Sequence, residues 1–267
     1  MDDVVAKAGA YTLPECGFTG PNGAKFLGWA ESEDGEVIDA LNLTGDVTLY
    51  AVWDKSVTFT VSSIYNSYLN DAAKKQSFIN YYKEKDFDVV AVTRVPATAI
   101  SNDEQVEALR VELGYKYAVG AYGTNGVAGA MLFSNYEIVS SQKLVNTSNG
   151  GVIFATLNVN GHLVDIVVSE LHNMARRSYV DSNVVDVYHD TTHELIVTGD
   201  NSSADASHFT TQYPLKVSVT MTRGSESCYY YTSKITCMTS ETDATDTSYT
   251  DAYAMIAPTN IELKLVG

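Results

Sequence analysis

At 267 residues and 45% hydrophobic content, the chain is long enough for one large or two smaller domains and apolar enough to bury a core, which excludes a disordered chain. Its formal charge of −16 is spread along its length: residues 1–55 hold 10 acidic and 3 basic side chains and residues 56–267 hold 23 and 14, so neither part offers the basic surface of a nucleic-acid binder. The three cysteines, Cys16, Cys228 and Cys237, are odd in number and at no metal-ligand spacing, which argues against a disulfide framework and a zinc site.

The first 55 residues read as short strands and turns, with a dense cluster of turn formers at Gly17–Gly23 and little helical periodicity. From Val57 the texture changes. Val57–Val61 alternates with period two and predicts a strand; Asn70-Asp71 predicts a helix cap, with a helix to about Lys85 that turns Ala73, Phe78, Ile79 and Tyr82 inward. Asp88–Val92 is an apolar run expected to form a buried strand. A second helix is expected from Asn102-Asp103, carrying Val106, Leu109 and Leu113 and ending at Gly114. Strands follow near 117–123, 127–133 and 136–145, then a hairpin whose turn is Asn160-Gly161 between 152–159 and 163–168. A helix at 174–188 is expected to lead back to a strand at 194–199. Antiparallel hairpins mixed with helices predict an α+β fold of two sheets packed face to face with helices outside.

Two resemblances follow from these residues. "YTLPECGFTGPNGAKFLGWAESEDGE" followed by "LTGDVTLYAVWD", with Phe26–Trp29 and Thr48–Trp53 as its core, resembles the Listeria-Bacteroides repeat, a small β-grasp-like module of bacterial surface proteins, over residues 1–55. Residues 56–267, through "DVVAVTRVPA", "GAMLFSNYEIVSS", "VDIVVSELHN", "ELIVTGDNSSAD" and "YTDAYAMIA", resemble the endonuclease/exonuclease/phosphatase superfamily, which implies the αββα sandwich of the deoxyribonuclease I-like type. That resemblance implies magnesium-dependent cleavage of phosphoesters, with a metal-binding Glu, a His paired to an Asp, and Asp and Asn residues that position nucleophile and phosphate.

Carried over position by position, most of those roles are vacant. Ser63 stands where the first strand ends in Asn, Arg94 where the metal-binding Glu belongs, and Glu170 at a His position. Gly-Asp-Phe-Asn becomes Gly199-Asp200-Asn201-Ser202, the late Asp falls on Cys228, and the terminal Ser-Asp-His becomes Thr250-Asp251-Ala252. Asp200 and Asp251 alone are retained. Asn201 and His172 lie one and two residues from the positions they would have to fill; along a strand, successive side chains face opposite sides, so Asn201 is expected to point away.

Arg94 is the most damaging departure. Two unit charges ~4 Å apart at an effective dielectric of ~20 interact by about 4 kcal/mol, and a divalent ion doubles this. An arginine there repels the metal and is instead expected to pair with Glu170, Asp200 or Asp251 as a resident cation. The expectation is therefore an exported or cell-surface bacterial protein with a catalytically degenerate domain that binds a ligand, glycan or protein, with no cofactor and no membrane span. The alternative is an active magnesium enzyme with Asp200, Asp251 and Glu170 as metal ligands. His189 and His193 are expected in a solvated turn, Arg176-Arg177 on the surface, and Tyr229–Tyr231 in a half-buried strand.

Overall fold

The computed structural model describes residues 4–21, 24–33, 35–66, 68–122, 129–146, 150–170, 181–200, 215–220, 226–231, 235–242 and 259–265. The chain divides into two compact units, with the boundary between Ser56 and Val57. The N-terminal unit holds two antiparallel strand pairs, β1 (Gly9–Tyr11) with β3 (Leu41–Leu43) and β2 (Phe26–Ala30) with β4 (Tyr50–Trp53). Aromatic residues replace a larger core. Phe26 lies edge-on to Trp29 and Trp53 at 5.2 and 5.6 Å, and the buried Trp29 indole donates to the Pro14 carbonyl at 2.7 Å.

The second unit is built from two six-stranded sheets. The first runs β15 (Ile235–Thr242), β16 (Thr259–Leu265), β5 (Val57–Tyr65), β6 (Val89–Val95), β8 (Gly129–Ser134), β7 (Tyr117–Ala121). The second runs β13 (Leu215–Thr220), β14 (Glu226–Tyr231), β12 (Glu194–Asp200), β11 (His162–Glu170), β10 (Gly150–Val159), β9 (Glu137–Asn146). Each sheet has one parallel pair, β5 with β6 and β11 with β12; the other pairings are antiparallel.

The two parallel pairs need crossovers, and these supply the outer layers. Between β5 and β6 runs α1 (Ala72–Lys85), capped by the Asp71 carboxylate on the Ala73 and Lys74 amides; α2 (Asp103–Leu113) is capped by Asn102 and closed by Gly114 in the left-handed conformation. The crossover from β11 to β12 includes a π-helical turn, Asp181–Val185, that runs into one helical turn, Asp186–Tyr188. The helix expected at 174–188 is thus seen only from residue 181, residues 171–180 lying outside the described part.

Alternation along the strands sorts the side chains. Phe59, Val61, Val89, Ala91, Ile153, Val164, Ile166 and Ile196 fill the space between the sheets; Ile64, Val90 and Val92 face Phe78, Tyr82 and Leu109 of the helices; Val167 and Val197 face Val184 and Val185. Helix, sheet, sheet, helix is the αββα sandwich expected from the sequence. Two buried polar residues under α1 bond to it, Ser62 to the Tyr82 hydroxyl at 2.9 Å and Asn260 through Nδ2 to the Tyr81 hydroxyl at 3.0 Å, while Asn260 Oδ1 accepts no hydrogen bond among the described residues.

Candidate functional site

The parallel pairs place the carboxyl ends of β5, β6, β11 and β12 at one end of the sandwich, where Arg94 and Glu170 meet and β12 ends at Asp200. Val164, Ile166 and Val168 of β11 face the inter-sheet core, so alternation carries Glu170 into the same space, where its side chain is wholly buried. On β6 the pairing with β8 shifts between Val92 and Val95, and Arg94 adopts φ +61°, the left-handed region that side chains other than glycine enter at a cost of about 1–3 kcal/mol.

That local reversal has a chemical result. The Arg94 backbone N–H donates to Glu170 Oε2 at 2.8 Å, while a guanidinium nitrogen lies 3.5 Å from Oε1. One residue therefore engages both oxygens of a carboxylate from the opposite sheet, once through its backbone and once through its charge. The guanidinium also lies 5.8 Å from the centre of the Tyr65 ring and keeps 32% of its side-chain surface.

The first strand requires a correction. Ser63 does not end it: β5 continues through Ile64 to Tyr65, and Asn66 follows, its backbone N–H on the Thr93 carbonyl at 2.9 Å. Tyr65 pairs with Thr93, so Asn66 stands at the register of Arg94. An asparagine thus stands at this strand end. It is 1% exposed, its Oδ1 accepts from the Tyr68 amide at 3.0 Å, and its Nδ2 has no hydrogen-bond partner among the described residues. Sequence reasoning missed it by anchoring the alignment on Ile64, although Tyr65-Asn66 carries the signal. The hydroxyls of Ser63 and Thr198 are likewise buried and without a partner among the described residues.

Asp200 ends β12 and is the register partner of Glu170 across the parallel ladder. Gly199 makes that approach possible: its φ is +122°, and a Cβ there would lie 2.3 Å from the Ser169 carbonyl oxygen. Cys228 lies in β14 opposite Ser218; its side chain, like that of Asp200, lies outside what is described. Ser202, Asp251, Ala252, Asn201, His172 and Arg176-Arg177 lie outside the described residues altogether. Among the described residues no group of three or more His, Cys, Asp or Glu could hold a metal.

The turn at 189–193 also differs from expectation. His189 Nδ1 lies 2.8 Å from Asp165 Oδ2 and His193 Nδ1 3.0 Å from Oδ1, and both rings are largely buried. Asp165, on the helix-facing side of β11, also accepts from the Thr156 hydroxyl at 2.8 Å and the Asp190 amide at 3.2 Å. The two histidines satisfy a buried carboxylate instead of facing solvent. Burial pushes the Asp165 carboxyl up, but hydrogen bonds from His189, Thr156, His193 and the Asp190 backbone outweigh it and hold the carboxyl below its ordinary value.

Comparisons with known proteins agree with this architecture. The model of the PGAP2IP C-terminal nuclease-like domain matches residues 54–203. An endonuclease/exonuclease/phosphatase family protein from Leptotrichia buccalis superposes with a TM-score of 0.58 at 13% identity, over 78% of this chain and 100% of that one. The endonuclease/exonuclease/phosphatase from Bacteroides vulgatus gives 0.58 at 16% identity, over 78% and 99%. ANGEL2, a 2′,3′-cyclic phosphatase, gives 0.55 at 11% identity, over 79% and 96%. No curated protein sequence matches. With more than half of its length matched and its two sheets stacked between helices, the chain belongs to the PGAP2IP C-terminal nuclease-like family and carries the endonuclease/exonuclease/phosphatase fold.

Proposed function

We propose that the domain formed by residues 57–265 is a catalytically degenerate member of its superfamily that binds rather than cleaves. The observation that supports this is the Arg94–Glu170 pair. The superfamily's chemistry calls for a divalent ion held by a carboxylate at this strand end. Here the β6 residue is a permanent cation, whose backbone N–H holds one oxygen of the Glu170 carboxylate and whose guanidinium lies at ion-pair distance, 3.5 Å, from the other, a buried oxygen that accepts no hydrogen bond from a described residue. The residues present do not fit a magnesium ion. With the Glu and His functions replaced at Arg94, Glu170 and Ala252, acid–base capacity is lost as well.

The N-terminal unit supports placement at a cell surface or outside the cell, through its resemblance to surface-protein repeats and a core built on Trp29 and Trp53. Partners in that reading are a ligand, glycan or protein; the acidic balance disfavours nucleic acid. Among the described residues, no helix is long and apolar enough to cross a membrane.

Asn66 favours a second reading. A buried asparagine at the register of Arg94 is a retained part of the superfamily's site, and with Asp200, Asp251 and Glu170 it would serve a rearranged magnesium phosphodiesterase. Calorimetric titration with magnesium and manganese, run beside hydrolysis of bis-p-nitrophenyl phosphate, separates the two. The binding reading expects neither metal heat nor turnover. Metal-dependent turnover that Asp200→Ala abolishes sinks it.

A further inference from the structure

The opposite end of the sandwich carries a second concavity. Asp88 immediately precedes β6 and Arg94 lies near its end, so at ~3.3 Å per residue the two are roughly 20 Å apart. Around Asp88, the turn from β8 to β9 and the tip of the β10–β11 hairpin border a shallow, open hollow of ≈ 490 Å³, with Lys116 and Tyr117 at its side.

Its walls are fixed by their own hydrogen bonds. The Asn135 amide donates to the Asp88 carbonyl at 2.9 Å, the Asp88 carboxylate accepts from the Thr60 amide and hydroxyl at 2.8 and 2.9 Å, and Asn158 Oδ1 accepts from the Gly161 amide at 2.7 Å. Other polar groups around the hollow are unspent. The side-chain amides of Asn135 and Asn160, the Tyr136 hydroxyl and the Lys116 ammonium form no hydrogen bond with another described residue.

The chemistry of that set excludes most ligand classes. One lysine beside Asp88 and Glu137 is no anion site. Two carboxylates, one already bound by Thr60, are too few for a hard cation. The lining is too polar for an aliphatic ligand. What remains is a neutral ligand rich in hydroxyls. Amides both donate and accept, as a hydroxyl does, and the lining includes two tyrosines, Tyr117 and Tyr136, each a side chain with an apolar body and a polar tip. Burial and then the Asp88 charge push the Tyr136 hydroxyl up to about 12.

We propose that this hollow is a saccharide-binding subsite, with Asn135, Asn160 and Lys116 meeting sugar hydroxyls and the tyrosine rings packing on the sugar face. It rests on the reading of the domain as a binding module, and it fails separately from it. Glucose, galactose, mannose and N-acetylglucosamine are titrated to ~50 mM into the ¹⁵N-labelled full chain, the range in which a shallow site of millimolar affinity saturates. The expected result is a saturable shift of the Lys116, Asn135, Tyr136 and Asn160 amides with at least one sugar. Binding is expected to be at least ~5-fold weaker, a loss of about 1 kcal/mol, in Asn135→Ala and in Asn160→Gly, which keeps the positive φ of the hairpin turn. Dispersed spectra show that each variant is folded. A silent panel, or shifts that persist unchanged in both variants or lie elsewhere, overturns the subsite and leaves the degenerate reading standing; metal-dependent turnover overturns only the latter.

Discussion

Arg94 holds Glu170 twice, through its backbone N–H at 2.8 Å and its guanidinium at 3.5 Å, and it does so from a left-handed backbone conformation. The wholly buried carboxylate belongs to one sheet and its cation to the other, so the pair ties the two sheets together at the carboxyl ends of β6 and β11. Removing the cation strands a buried charge.

Arg94→Ala is therefore expected to cost about 3 kcal/mol, the low end for a broken buried pair because the arginine is only partly buried. Arg94→Gly loses the same guanidinium but relaxes the φ of +61°, and is expected to be about 1 kcal/mol more stable than the alanine variant. Urea denaturation followed by circular dichroism checks both. Equal midpoints for the two variants would show that the left-handed conformation stores no strain.

Glu170→Gln tests the same contact from the other side. The amide keeps the shape and still accepts from the Arg94 backbone, while the charge is gone. A loss of about 1–2 kcal/mol is expected, smaller than for Arg94→Ala because the remaining cation retains access to water. A larger loss than in Arg94→Ala would contradict this ordering.

The layers were legible in the sequence because they rest on local signals. A period-two run marked β5 and an apolar run marked β6, and Asp71, Asn102 and Gly114 marked helix ends by the hydrogen bonds they make in place. The site was legible only as chemistry. The sequence showed a cation where a metal ligand belongs and offered Glu170, Asp200 and Asp251 as partners; geometry pairs it with Glu170, 76 residues away. Two readings failed for the same reason. Ser63 was chosen by adjacency to Ile64, whereas the parallel register to Thr93 decides where β5 ends; His189 and His193 looked solvated because the carboxylate that buries them, Asp165, is 24 and 28 residues distant. Local sequence does not encode such partners.

Asp165 gives a pH dependence. Its folded-state pKa is depressed below the ordinary carboxyl value of 3.8, so its contribution to stability is fully present above that value and is lost as pH falls through the folded pKa. Guanidinium midpoints measured from about pH 6 down to about pH 2.5 are expected to fall more steeply for the wild type than for Asp165→Asn. At pH ~7 the asparagine variant is expected to be less stable by about 2–4 kcal/mol, since it loses the charge that His189 and His193 serve. Parallel acid profiles for the two proteins would refute the assignment.

Gly199 is the position where backbone geometry alone sets the site. A Cβ would meet the Ser169 carbonyl oxygen at 2.3 Å and its amide nitrogen at 2.8 Å, both main-chain atoms of the paired strand that cannot swing aside. Its φ of +122° is also closed to side chains at little cost. Gly199→Ala should therefore push β12 away from β11 just before Asp200 and Glu170, destabilising the domain by about 3 kcal/mol or more. Gly161→Ala is the control: its φ is also positive at +99°, but no atom lies within 4 Å of its Cβ, so it carries the conformational penalty alone, about 1 kcal/mol. Thermal unfolding of the two variants side by side separates collision from conformation. If Gly199→Ala melts no lower than Gly161→Ala, the close approach of the two strand ends is not what holds this end of the sandwich together.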